Sequence, residues 1–114
     1  MTVLIIGGAY QGKRMLAEKL YQNLPKIENL HEIVHEMLQE NRDPQSLLDE
    51  LRGHAVTCDE IGCGVVPIDR ADENWREAVG RLCCALAQEA DAVVRVTAGV
   101  PQFIKGEKPY DNLC

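Results

Sequence analysis

The stretch that most constrains this chain is residues 3–18, VLIIGGAYQGKRMLAE. Four apolar residues, Val3, Leu4, Ile5 and Ile6, run into Gly7 and Gly8. Ala9, Tyr10 and Gln11 follow, then Gly12, Lys13 and Arg14, then a helical pattern with Leu16, Ala17, Leu20 and Leu24 apolar. Strand, glycine loop and helix in this order are the setting of a phosphate-binding loop. Gly7-x4-Gly12-Lys13 fills the first seven positions of that motif. Glycines let the backbone turn its N–H groups towards an anion, the helix start adds partial positive charge, and Lys13 can reach the outer phosphates. The eighth position, normally a Ser or Thr whose hydroxyl ligates magnesium, is Arg14. Arginine cannot ligate a cation, so phosphate binding is better supported than metal-assisted phosphoryl transfer. The plainer alternative is a glycine turn between a buried strand and a helix, with Lys13 in solvent. The apolar strand directly before the loop favours the phosphate reading.

A chain of 114 residues suits one domain with one core, residues 1–114. Only 4% of residues are aromatic, so that core must be largely aliphatic. The net charge of −6 disfavours non-specific binding to nucleic acid or to an anionic membrane. No apolar run is long enough to span a bilayer, and the N-terminus lacks the basic region of a secretory signal. Five cysteines, an odd number, are expected as free thiols in the cytoplasm.

Further elements follow from periodicity and punctuation. Pro25 predicts that the first helix ends near Leu24. Residues 26–30 suit a short strand, and Leu30, Ile33, Val34, Met37 and Leu38 form one face of a helix. Residues 46–51 read as a second short helix ended by Gly53. Residues 55–58 read as a strand closed by Asp59 and Glu60, and glycines at 62 and 64 with Pro67 mark a loop. Asp72 is a plausible cap for the clearest helix in the chain, carried by Trp75, Ala78, Val79, Leu82, Cys83, Leu86, Ala87 and Ala90. Residues 92–97 form a strand closed by residues 98–101, and residues 105–114 read as a loose tail. The fold class is therefore α/β: a mostly parallel sheet with helices on both faces, like a phosphate-loop NTPase reduced in size. In such sheets ligands collect beyond the carboxyl ends of the strands, here Gly7-Gly8, Asp59-Glu60 and Ala98-Gly99.

Two other constellations bear on chemistry. Asp59 and Glu60, at a strand end, are the candidate carboxylates for magnesium. Residues 31–35, His-Glu-Ile-Val-His, match the H-E-x-x-H zinc pattern letter for letter. The apolar stripe of the same helix leaves both histidines on its polar flank, so an ordinary surface helix is the stronger reading. Cys83 reads as core and Cys84 as its flank.

The second half of the chain carries a resemblance. Residues 59–67, DEIGCGVVP, look like the N-E-V-G-x-G-x-V-P segment of the adenosylcobinamide kinase/adenosylcobinamide-phosphate guanylyltransferase family. Trp75-Arg76-Glu77 resembles its F-R-D, Gly80-Arg81-Leu82 its G-x-L, and Ala90-Asp91 its A-D. Residues 98–101 with Lys105 resemble its A-G-x-P…K, and residues 7–18 resemble its G-G-x-x-S-G-K-S-x-x-A-E. Gln11 and Arg14 replace both serines of that loop, Asp59 replaces an Asn, and Cys83-Cys84 replace an Asn-Gln pair. Family members are also longer, and the shortfall lies within residues 25–54. That interval normally carries the guanylylated histidine and a D-C-L-T strand end. No D-C-L-T is present, and the spacings around His35 do not match, so the covalent role does not transfer to it.

Loop and resemblance together imply binding of ATP or GTP through Gly7, Gly8, Ala9, Tyr10, Gln11, Gly12, Lys13 and Arg14 in the cytoplasm that the cysteines suggest; Arg14, by departing from the motif, predicts weak or absent dependence on magnesium, with Asp59 and Glu60 as its candidate carboxylates. If active, the chain would be a kinase/nucleotidyltransferase with Lys13 as the catalytic lysine and a corrinoid as acceptor, and the family's habit implies a homo-oligomer. The alternative is a non-catalytic nucleotide-binding or regulatory homologue that has lost both activities.

Overall fold

The computed structural model describes residues 1–60 and 70–107. The glycines at 62 and 64, Pro67, Cys63 and the far tail with Cys114 lie outside them. Strand β1 (Val3–Gly7) forms because its apolar residues can be buried on both faces of a sheet. It pairs in parallel with β3 (Ala55–Asp59) on one side and β4 (Ala92–Thr97) on the other. A two-residue β2 (Lys26–Ile27) extends the β3 side, and β5 (Val100–Lys105) pairs antiparallel with β4. The five-stranded order is β2-β3-β1-β4-β5. The fold is thus α/β and mostly parallel, as the sequence predicts.

Period-two alternation divides the core. Leu4, Val56, Cys58 and Val93 face α2 (Leu30–Gln39), α3 (Leu48–Leu51) and α4 (Arg70–Glu89), where Val34, Met37, Leu51, Leu82 and Leu86 complete one layer. Val3, Ile5, Val94 and Val96 face α1 (Lys13–Leu20) with Leu16, Ala17 and Tyr21. Helices therefore cover both faces. The chain leaves β1 through α1 on one face and passes through α4 on the other before β4. The connections around β1 thus diverge, which opens a crevice at the carboxyl ends of β1 and β3.

Several elements differ from the sequence reading. Helix α1 stops at Leu20 rather than near Leu24, because Tyr21 leaves helical geometry (φ −127°) and tucks into the core. Strand β2 is cut short at Ile27, because Asn29 turns left-handed (φ 58°) and gives its N–H to Thr57 Oγ1 at 3.0 Å, starting α2 at once. A 3-10 turn, Pro44–Leu47, precedes α3, with Asp43 accepting from the Gln45 N–H. Helix α4 already runs from Arg70, so Asp72 stands inside it rather than ahead of it. It lies in the first turn, where a carboxylate suits the helix dipole, and pairs with Arg76 at 3.0 Å.

The largest correction is β5. Ala98 and Gly99, with φ of 51° and 79°, make a two-residue turn rather than the end of the sheet. Positive φ at both central residues matches the twist of a hairpin. Pro101 is tolerated because β5 is an edge strand. Lys105, placed in the loose tail by the sequence, is the last residue of β5, and its ammonium donates to Ala87 O and Gln88 O at 2.9 Å each. It thereby satisfies carbonyls at the end of α4.

Candidate functional site

The register pairs Gly7 with Asp59 on one side and Val96 on the other, so the loop after β1 opens between two strand ends. Gly12, at φ 94°, caps α1, and a Cβ there would lie 3.3 Å from Gly99 Cα. Tyr10 also has positive φ, 61°, and its ring is fully exposed. The three strand ends expected to converge do so. Glu60 N–H donates to Gly7 O at 2.8 Å. Gln11 reaches the β4–β5 turn twice, its Oε1 accepting from Ala98 N–H at 2.5 Å and its backbone O from Gly99 N–H at 2.8 Å. Gln11, which stands where the resembled family has a serine, thus ties the loop to the β4–β5 turn.

Lys13 opens α1, yet its side chain folds beneath the loop and is only 7% exposed. Its Nζ donates to Gly8 O at 2.6 Å and pairs with Asp59 Oδ1 at 2.7 Å. A buried ammonium needs such partners, since burial without them would be strongly unfavourable. Arg14 points the other way, into solvent, and pairs with Glu28 at 3.2 Å and Glu18 at 3.5 Å. A cavity of about 450 Å³ lies over this arrangement, bounded by the loop from Ala9 to Met15 and by Asn29, His31, Glu32, Thr57 and Asp59. Lys13 pairs with Asp59 and Arg14 with Glu28 on its wall.

Asp59 and Glu60 have different settings. Asp59 lines the cavity, whereas Glu60 turns to Arg95, with contacts of 2.9 Å to both of its oxygens. The two residues of the zinc-like pattern also part company. His35 is exposed and packs edge-on against Trp75, ring centroids 5.4 Å apart. His31 is buried at 7% exposure, contrary to the polar-flank reading. Its Nδ1 accepts from Asp59 N–H at 3.1 Å, its Nε2 lies 3.4 Å from Asp59 Oδ2, and its backbone O accepts from Trp75 Nε1–H at 2.8 Å. Among the described residues, no group of three or more His, Cys, Asp or Glu side chains could hold a metal ion.

Sequence reasoning missed His31 because its neighbours in the fold come from β3 and α4. The one available signal was its place directly after Leu30, at the edge of the apolar stripe. A second cavity, about 490 Å³, adjoins the first, sharing His31 and Glu32 and lined also by His35, Ala71, Asp72 and Trp75.

Behind Asp59, Cys58 Sγ lies 3.7 Å from Cys83 Sγ. The hydrogen bond with Cys83 and burial push the Cys58 thiol up, while the same hydrogen bond lowers Cys83. Cys58, Cys83 and Cys84 are free thiols, and Cys83 packs on the core while Cys84 is exposed, as read from the sequence. Among the described residues no helix is long and apolar enough to cross a membrane.

The profile of the family described as cobinamide kinase / cobinamide phosphate guanyltransferase matches residues 27–104. The match runs from the end of β2 through most of β5 and begins after the glycine loop. No curated protein matches the chain.

Proposed function

Because the chain belongs to the cobinamide kinase / cobinamide phosphate guanyltransferase family, we propose that its first loop, Gly7 to Arg14, holds the phosphates of ATP or GTP in the cytoplasm, in a site built for phosphoryl transfer to a corrinoid hydroxyl. The observation that carries this reading is Lys13, buried beneath the loop with Nζ 2.6 Å from Gly8 O and 2.7 Å from Asp59. An ammonium held there lies at the N-terminus of α1 and on the floor of the cavity. Phosphate oxygens placed over the loop would meet backbone N–H groups, the helix dipole and this cation together. The adjoining cavity offers an acceptor a place beside the phosphates.

The donor set for magnesium is thin. Arg14 stands where a hydroxyl ligand would, Glu60 is engaged by Arg95, and Asp59 is held by Lys13. Asp59 and Glu60 are the carboxylates that would meet a magnesium ion carried in by the nucleotide, and binding should depend on that ion only weakly. A second reading, a nucleotide-binding regulatory protein without transfer activity, is favoured by Arg14 and its ion pairs to Glu18 and Glu28.

Calorimetric titration with ATP and GTP, with and without magnesium, tests the proposal. Saturable binding of one nucleotide, changed little by chelation, is expected. Arg14→Ser should increase the magnesium dependence. Absence of binding to either nucleotide would remove the reading, and an affinity that collapses on chelation would make Asp59 and Glu60 sufficient ligands. Incubation with cobinamide and ATP then separates enzyme from regulator.

A further inference from the structure

His31 grips one residue at two points. Its ring takes the backbone N–H of Asp59 on Nδ1 at 3.1 Å and sets Nε2 3.4 Å from Asp59 Oδ2. Because Nδ1 accepts, the ring proton of the neutral imidazole sits on Nε2, and the approach of Nε2 to Oδ2 is a close polar contact rather than an aligned hydrogen bond. The other carboxylate oxygen, Oδ1, holds the Lys13 ammonium at 2.7 Å. The main chain of His31 is itself anchored, since its peptide oxygen accepts from Trp75 Nε1–H at 2.8 Å. Trp75 on α4, His31 on α2, Asp59 on β3 and Lys13 on α1 therefore form one connected series that ends at the cavity floor.

We propose that His31 is a positioning residue for the phosphate site: it fixes the Asp59 carboxylate, which in turn holds Lys13 pointed under the loop. The proposal rests on the phosphate-loop reading and adds a residue to it. Lys13 has three N–H donors, and Gly8 O and Asp59 use two. The third is left for a phosphate oxygen, so the lysine need not reorganise when the nucleotide arrives. Preorganisation of this kind raises affinity by removing an ordering cost. An Asp59 carboxylate free to rotate would release Lys13 to other rotamers, and the cost would return on binding.

The same contacts make His31 a poor nucleophile. Nδ1 is occupied by a peptide N–H, and Nε2 carries the ring proton.

The test separates positioning from mere support of the fold. In His31→Asn the amide oxygen can stand in for Nδ1 and accept from Asp59 N–H, but nothing reaches Oδ2. Thermal unfolding of His31→Asn should stay near wild type while affinity for ATP and GTP falls about fivefold, the order expected when one polar contact that preorders the site is lost. His31→Ala should lose both stability and affinity. In an Asp59→Ala background, His31→Asn should change affinity no further, because the two residues act in series.

Wild-type affinity in His31→Asn would overturn the proposal, as would independent, multiplying effects in the double variant. Lys13→Ala is titrated alongside. Loss of binding there with wild-type affinity in His31→Asn removes the positioning role alone, whereas wild-type affinity in both removes the phosphate-loop reading and this role with it.

Discussion

At Gly7 the chain has no room for a side chain: a Cβ would lie 2.5 Å from Val96 O, inside the β1–β4 ladder. Gly7→Ala should therefore push β4 away from β1 and cost about 1–3 kcal/mol, the usual range for overpacking. Urea unfolding measures it, and an unchanged midpoint would mean that the strands are not in this register. The Gly7-to-Lys13 frame is legible in sequence because each position answers to local backbone chemistry. His31 is not legible, because its burial depends on β3 and α4 arriving from residues 28 and 44 positions away in the chain. Gln11 lies between these cases. Its departure from the family serine is visible in the sequence, but its bonds to Ala98 and Gly99 belong to the folded sheet.

At the scale of elements, α4 and β4 were the easiest to read, since each carries a long periodic apolar pattern that its surroundings satisfy. Leu82 is fully buried between α4 and the sheet. Leu82→Ala should cost about 2–5 kcal/mol, measured by thermal or urea unfolding, and a loss below 1 kcal/mol would argue against α4 packing on this face. β5 was missed because Ala98-Gly99 is a weaker hairpin signal than Asn-Gly and because Pro101 argues against a strand in any position but an edge. The early end of α1 is illegible for a different reason. Pro25 marks the latest place a helix can stop, whereas Tyr21 stops it sooner by turning its ring into the layer with Leu16 and Val94.

Across the whole molecule, the strand order places the glycine loop, Asp59 and the start of α2 around one crevice, with the second cavity next to it. The parallel sheet was readable from alternating strand and helix patterns, but its order was not, because pairing partners are chosen by the complete core. The same scale bears on guanylyl transfer. His31 is buried with Nδ1 accepting from Asp59 N–H and Nε2 3.4 Å from its carboxylate, and His35 lies exposed against Trp75. Incubation with labelled GTP should leave no covalent nucleotide, and an acid-labile adduct that disappears in His35→Ala would contradict this and restore the covalent role to that helix. The central claim, that the first loop holds nucleotide phosphates through a lysine beneath it, is tested most directly by titrating folded Lys13→Ala with ATP and GTP. The account predicts binding at least tenfold weaker than wild type, about 1.4 kcal/mol; unchanged affinity in the folded variant would contradict it.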